Sequence, residues 1–138
     1  MWAVVVTHNR LVLLRECLAA LERQTRPPDH ILVVDNASTD GTSEAVGAEL
    51  PDLDLLVLAT NQGGAGGFHE ELAAAQRAGA EWVWLMDDDT IARPEALAEL
   101  LRAPQRLPDG EAPMLLASKA VWGRRTAAPH ERAGLRAR

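Results

Sequence analysis

The stretch Ile31-Leu32-Val33-Val34-Asp35-Asn36-Ala37-Ser38-Thr39-Asp40 changes from wholly apolar to mainly polar within one residue. Its first four residues are apolar without alternation, which predicts a strand covered on both faces, as in a parallel sheet. Parallel strands of an open sheet end at a common edge, and ligands bind in the crevice outside that edge. We therefore expect the polar residues from Asp35 onward to face a ligand.

The same change from an apolar run to a polar or glycine-rich loop occurs three more times. The apolar runs predict strands at 2–6, 55–58 and 82–86, with a possible fifth strand at 114–117. Leucines at three- and four-residue spacing predict a helix at 11–24, and further helices are expected at 42–50, at 66–78 and from Pro94 onward. Residues 103–113 indicate a loop. This alternation predicts an α/β fold of Rossmann type, an open, mostly parallel sheet flanked by helices.

The composition is that of a globular protein, and the net charge of −6 argues against nucleic-acid binding. Residues 119–138 carry six basic residues and one acid. This tail predicts either contact with an anionic membrane or lipid diphosphate, or a solvated chain end. Cys17, the single cysteine, is expected to be a buried, unreactive thiol. No signal peptide or apolar run of membrane-spanning length is visible, which indicates a cytoplasmic location, with a possible peripheral membrane contact.

Three consecutive carboxylates, Asp87-Asp88-Asp89, follow the fourth predicted strand. Like charges at the end of a buried strand repel one another unless a cation is bound. Carboxylate oxygens favour Mg²⁺ or Mn²⁺, and these ions can bridge the oxygens of a diphosphate. An acidic helix cap is the alternative, but one carboxylate would be enough for that role.

Two other loops allow both a functional and a structural interpretation. Asp35 can accept a hydrogen bond from N3–H of uracil or thymine, or from guanine, but it can equally form an Asx-turn. The stretch 61–67 can direct backbone N–H groups at a phosphate, or can simply be a tight turn. Arg10 can neutralise a phosphate or lie in solvent at a helix start.

The four loops together resemble those of the inverting family 2 glycosyltransferases with the GT-A fold. The resemblance rests on Val-Val-Val-Thr-His-Asn-Arg (4–10), Val-Val-Asp-Asn-Ala-Ser-Thr-Asp-Gly-Thr (33–42), Asn-Gln-Gly-Gly-Ala-Gly-Gly-Phe (61–68) and Trp-Leu-Met-Asp-Asp-Asp (84–89). The last two are most similar to the galactofuranosyl- and rhamnosyltransferase-like branch. The resemblance covers about residues 1–121, which we expect to form a nucleotide-sugar-binding half-domain, followed by the basic tail 122–138.

The resemblance implies transfer of a sugar from a UDP- or dTDP-sugar to an acceptor hydroxyl of a polysaccharide or lipid-linked glycan, with inversion. It implies that Asp89 holds Mn²⁺ or Mg²⁺ on the diphosphate and that Asp87 is a second metal ligand or a ribose contact. The implied nucleotide-binding residues are Thr7, Asn9, Arg10, Asp35, Asn36, Asn61, Gly64, Asp87 and Asp88.

Family members carry a second half with the acceptor site and the catalytic base, and few residues follow Asp89 here. We therefore expect a truncated domain or gene fragment, with the catalytic base unassigned. A truncated sheet exposes apolar surface, which predicts self-association. The alternatives are a nucleotide-sugar-binding fragment without turnover and, ranked lower, a phosphatase of the haloacid dehalogenase type. The latter is prompted by Asp87-x-Asp89-x-Ile91, but its aspartates belong after the first strand.

Overall fold

The structure, a computed structural model, describes residues 1–51, 53–106, 115–119 and 121. Within these residues, four strands alternate with four helices. The strands are β1 (Trp2–Thr7), β2 (His30–Asp35), β3 (Asp54–Val57) and β4 (Val83–Asp87). The helices are α1 (Leu11–Glu22), α2 (Thr42–Glu49), α3 (Gly63–Arg77) and α4 (Ala96–Arg102), and a 3₁₀ helix (Ala103–Arg106) follows α4.

The strands form one parallel sheet in the order β3-β2-β1-β4. The predicted open, parallel α/β sheet flanked by helices is therefore confirmed. The chain first moves outward from β1 to β2 and β3, and α3 then returns it to the other side of β1. The order of the strands thus reverses between β1 and β4, and in open α/β sheets ligands bind at such a switch point.

Both faces of the sheet are covered, which explains why its central strands are apolar at every position. Alternate side chains of a strand point to opposite faces. Ala3 and Val5 of β1 pack with the buried face of α1, whereas Val4 packs with Leu58 and with Ala75 of α3. The expected burial of the Cys17 thiol is confirmed as well, since Cys17 is completely buried among the residues that pack with Ala3 and Val5.

Three helix boundaries differ from the expected ones by two or three residues. Helix α1 ends at Glu22, and the side chain of Gln24 instead donates to the carbonyl of Arg93 at 2.7 Å. Helix α3 begins at Gly63 rather than at residue 66, where the Asn36 side chain donates to the carbonyl of Gly63 and the Asn61 side chain accepts from its N–H. Helix α4 begins at Ala96 rather than at Pro94, whose carbonyl accepts from the backbone N–H of Thr25.

The segment after α4 also differs from expectation where it is described. The predicted loop at 103–113 begins with the 3₁₀ helix, while residues 107–113 lie outside the described part of the chain. The fifth strand predicted at 114–117 is not formed over Leu115–Ala117, and Met114 is outside the described residues, as is the tail at 122–138. Among the described helices, none has the length and apolar character needed to cross a membrane.

Candidate donor site

The carboxyl ends of β1, β2 and β4 bring the predicted site residues to one edge of the sheet. Thr7 at the end of β1 is the register partner of Asp35 on β2, and Val6 is the partner of Asp87 on β4. Thr7 and Asp35 are buried, whereas Asp87 is exposed. The loops predicted to share one crevice therefore do begin at the same edge.

Asp88 joins β4 to β1. Its backbone N–H donates to the carbonyl of Val6 at 3.1 Å, and its Oδ2 accepts from the Thr7 hydroxyl at 2.8 Å. Its Oδ1 lies 3.4 Å from Nη1 of Arg10. Asp88 is only 3% exposed. Both oxygens of this carboxylate thus have protein partners. Thr7 and Asp88, which the resemblance places at the nucleotide, bond to each other here, and direct contact with the nucleotide stays a prediction.

Asp87 and Asp89 flank this buried carboxylate and are both exposed. Partial burial beside the strand end and then repulsion from Asp89 and Asp88 raise the pKa of Asp87, against the opposing effect of Arg10. Burial first, and then the same two carboxylates, raise the pKa of the Cys17 thiol to about 12, so this thiol is unreactive. Negative charge is therefore concentrated around the end of β4.

The carboxylates of Asp87 and Asp89 fit a hard divalent cation that is also bound by oxygens of a ligand. Both carboxylates are accessible. Partial burial and then repulsion from Asp89 and Asp88 raise the pKa of Asp87, and a bound cation would offset this repulsion. Within the described residues, no three His, Cys, Asp or Glu side chains are grouped so that they could hold a metal ion. Two carboxylates with oxygens from a bound diphosphate match the way Mg²⁺ is commonly held.

Asp35 uses one carboxylate oxygen structurally and leaves the other without a partner. Oδ1 accepts from the backbone N–H of Ser38 at 2.8 Å, which is the Asx-turn expected as one alternative. Oδ2 is buried and has no hydrogen-bond partner among the described residues. Because an unpaired buried acceptor is costly, this oxygen is suited to accept from a ligand donor. The turn and the ligand interpretation are therefore compatible.

Asn36 and Asn61 hold the start of α3. The Asn36 amide donates to the carbonyl of Gly63 at 3.0 Å and accepts from the backbone of Gln62 at 2.8 Å. Asn61 Oδ1 accepts from Gly63 N–H at 2.8 Å. Gly64 in the first turn is exposed, with open space around it. The side chains of Asn36 and Asn61 are thus used to hold the start of α3, whereas the space beside Gly64 is open.

Asn9 ties the loop after β1 to the loop after β2. It has a positive φ of 55°, its Oδ1 accepts from Thr39 N–H at 2.7 Å, and its own N–H donates to Ser38 Oγ at 2.9 Å. Beside it, Nδ1 of His8 is buried without a hydrogen-bond partner in the described structure. The sequence analysis gave no individual role to His8 or Ser38, although both lie in the polar loops that follow β1 and β2.

A cavity of about 430 Å³ lies at the opposite edge of the sheet, near the first residues of β2 and β3. Its lining includes the apolar residues Ile31, Leu50 and Leu53 together with exposed carboxylates. It contains none of the predicted site residues. The polar side chains at the carboxyl ends of the strands, rather than this cavity, therefore define the candidate site.

Comparison with known proteins agrees with this arrangement of loops. The family described as "Glycosyl transferase family 2" matches residues 2–133. The chain belongs to this family. The match continues past residue 121, and the boundary placed there between half-domain and tail stays a prediction. Family membership removes the haloacid dehalogenase alternative.

Among curated proteins, the chain is similar to galactofuranosyltransferase GlfT1 of Mycobacterium tuberculosis, with 42% identity over 76% of this chain and 36% of that protein. The Mycolicibacterium smegmatis protein of the same name is 45% identical over 63% of this chain and 29% of its own length. N-acetylglucosaminyl-diphospho-decaprenol L-rhamnosyltransferase of M. tuberculosis is 33% identical over 76% of this chain and 37% of its length. The chain thus spans about a third of the length of these relatives.

Solved structures show the same fold. S. aureus TarS 1–349 in complex with UDP matches with a TM-score of 0.57 and 33% identity over 71% of this chain and 30% of that one. The mannosyltransferase PcManGT from Pyrobaculum calidifontis, in complex with GDP-Man and Mn²⁺, matches with a TM-score of 0.58 and 32% identity over 73% and 31%. The Rossmann-like GT-A fold is therefore shown.

Proposed function

We propose that this chain is the donor-binding part of an inverting, metal-dependent glycosyltransferase that takes a sugar from a UDP- or dTDP-sugar. The unpartnered, buried Oδ2 of Asp35 carries the proposal. It lies on the same edge of the sheet as Asp87 and Asp89. The end of β2 thus offers an acceptor for a nucleobase, and the end of β4 offers ligands for a diphosphate-bound cation.

A carboxylate oxygen accepts from N3–H of uracil or thymine, whereas cytosine has no N–H at that position. The neighbour TarS was solved in complex with UDP and with UDP-GlcNAc, which supports a uridine donor. Guanine also offers an N–H donor, and PcManGT was solved in complex with GDP-Man. The similarity to galactofuranosyl- and rhamnosyltransferases favours UDP- and dTDP-sugars for this chain.

The diphosphate would lie over the end of β4. Asp87 and Asp89 would hold Mn²⁺ or Mg²⁺, which on binding neutralises the charge that develops on the leaving diphosphate. Arg10 lies beside Asp88 and Asp89 and is half exposed, so it can reach a phosphate oxygen. Backbone N–H groups in the first turn of α3, around Gly64, are placed to donate to a ligand oxygen.

The acceptor would be a hydroxyl group of a polysaccharide or lipid-linked glycan, by analogy with the relatives named above. A carboxylate base would remove its proton, and no residue is assigned to that role. The alternative is that this chain binds the donor without transferring the sugar. The exposed apolar residues Val57 and Leu85 on the two edge strands support self-association as part of the same proposal, and a clean monomer in sedimentation would contradict it.

The proposal is tested by titrating UDP into the purified chain with and without Mn²⁺, following tryptophan fluorescence. Trp82 precedes β4 and Trp84 lies within it, so both report on the end of this strand. We expect saturable binding that requires Mn²⁺ and is lost in Asp89→Ala. Asp54→Ala is the matched control, because Asp54 is an exposed carboxylate at the opposite end of the sheet.

Absence of UDP binding to a folded chain would contradict the proposal. If UDP binds, an assay of sugar transfer from a UDP-sugar to an added acceptor separates the two alternatives. Transfer shows a complete enzyme, whereas binding without transfer supports the donor-binding fragment.

A further inference from the structure

Arg10 lies between two carboxylates of the acidic cluster. Its Nη1 is 3.4 Å from Oδ1 of Asp88 and 3.6 Å from Oδ2 of Asp89. Arg10 is also the residue that caps α1, but its side chain makes no capping hydrogen bond. The guanidinium therefore has an electrostatic role at this edge that is separate from the start of the helix.

The two carboxylates that Arg10 contacts differ in their freedom. Asp88 is 4% exposed at its side chain and is held by the Thr7 hydroxyl, whereas the side chain of Asp89 is 58% exposed. Arg10 itself is 53% exposed. The link between Arg10 and Asp89 is thus the part of the cluster that can rearrange, while Asp88 stays fixed.

A divalent cation on Asp89 would compete with this guanidinium. Both carry positive charge and both need the same carboxylate, so binding of the metal alone must displace or strongly repel Arg10. A diphosphate changes the balance, because its oxygens supply new acceptors for the guanidinium. The new contact between Arg10 and the diphosphate then offsets the loss of its contact with Asp89.

We infer that Arg10 is a built-in counter-ion that holds Asp89 in the ligand-free protein and turns to the donor diphosphate when metal and nucleotide bind together. This inference rests on the proposed function. It gives Arg10 two opposite effects: it weakens binding of the metal alone, and it strengthens binding of the nucleotide with metal. The metal would then arrive with the nucleotide rather than before it.

The test compares Arg10→Gln with the native chain in two titrations at low salt, where charge effects are least screened. Mn²⁺ alone is titrated by following the free-ion signal in electron paramagnetic resonance, and UDP is titrated calorimetrically at saturating Mn²⁺. Removing a unit charge about 4 Å from a divalent ion should tighten Mn²⁺ binding about tenfold. Loss of the cation facing the diphosphate should weaken UDP binding about tenfold.

Arg23→Gln is the matched control, because it removes the same charge at the other end of α1. Arg10→Lys keeps the charge and should return both affinities toward the native values. Circular dichroism checks that the variants fold. Unchanged or weaker Mn²⁺ binding in Arg10→Gln overturns the inference, and so does equal tightening in Arg23→Gln. If Asp89→Ala still abolishes metal-dependent UDP binding in that case, the proposed function stands without the counter-ion.

Discussion

The two halves of the candidate site share one edge of the sheet but are built in opposite ways. Around β2 and the start of α3, polar side chains are paired within the protein, and Asn36 alone makes two hydrogen bonds that hold α3 in place. Around the end of β4, three carboxylates lie together, and among the described residues Arg10 is the one cation paired with them.

The difference shows which half is preorganised. Hydrogen bonds within the protein define the position of Asp35 before a ligand arrives, and one buried oxygen is left over. In the acidic half, partial burial and then repulsion from Asp89 and Asp88 raise the pKa of Asp87, and a cation would relieve this repulsion. We therefore expect substitutions in the first half to affect nucleobase recognition and those in the second to affect metal and charge.

The largest effect should come from Asp35→Asn. The amide oxygen can still accept from Ser38, so the turn is kept, but an NH₂ group replaces the free acceptor. Losing a buried ligand hydrogen bond should lower UDP affinity about 30-fold in calorimetry. Mn²⁺ binding should not change, and Asp54→Asn is the control. Unchanged UDP affinity would show that Oδ2 does not contact the base.

Thr7→Val should break the hydrogen bond that joins the end of β1 to Asp88, the residue after β4. It removes the hydroxyl that donates to Asp88 and leaves a buried carboxylate oxygen unpaired. The free energy of unfolding in urea should fall by about 2 kcal/mol. Thr7→Ser keeps the hydroxyl and should retain most of the stability. A Thr7→Val chain as stable as the native one would contradict the importance of this bond.

Gly67→Ala and Gly64→Ala test the contact of α3 with the sheet. A Cβ at Gly67 would lie 3.0 Å from Val6, whereas one at Gly64 meets nothing within 4 Å. Alanine favours a helix at both positions, so their difference isolates the packing strain. Gly67→Ala should be less stable than Gly64→Ala by about 1 kcal/mol in urea denaturation. Equal stabilities would mean that α3 moves away without cost.

The smallest effect should be that of Asp87→Asn on the metal-free protein. Since the folded state raises the pKa of this carboxyl, the folded state holds its proton more tightly than the unfolded state. Ionisation therefore costs stability as the pH rises through the raised pKa, and the cost persists at neutral pH. Asp87→Asn should raise the Tm at pH 7 by about 2 °C.

This gain should shrink as the pH falls toward about 4, near the ordinary pKa of aspartate. Differential scanning fluorimetry at both pH values measures it. A lower Tm for Asp87→Asn at pH 7 would contradict the charge excess at the end of β4.

The strands and their terminal loops could be predicted because burial on both faces demands uninterrupted apolar runs. The start of α3 could not be predicted, since its glycines have low helix propensity. The side chain of Asn36, the residue after β2, donates the hydrogen bond to Gly63 that holds this start. The sequence also could not predict that Asp88 is buried and paired with Thr7 while Asp87 is exposed. Adjacent residues of a strand end point in different directions, and only the pairing with β1 shows that Asp88 faces Thr7.

The sequence by itself determined the parallel α/β class and the set of polar loops, because apolar periodicity and residue type are local properties. The family followed from the resemblance of those loops to the loops of family 2 glycosyltransferases. The tertiary structure decided which of these polar residues are used up internally and which are left for a ligand. Asn36 and Asp88 have bonding partners far away along the chain, whereas Oδ2 of Asp35 has none among the described residues. Whether a polar group is satisfied depends on neighbours brought together by folding, and no local pattern records them.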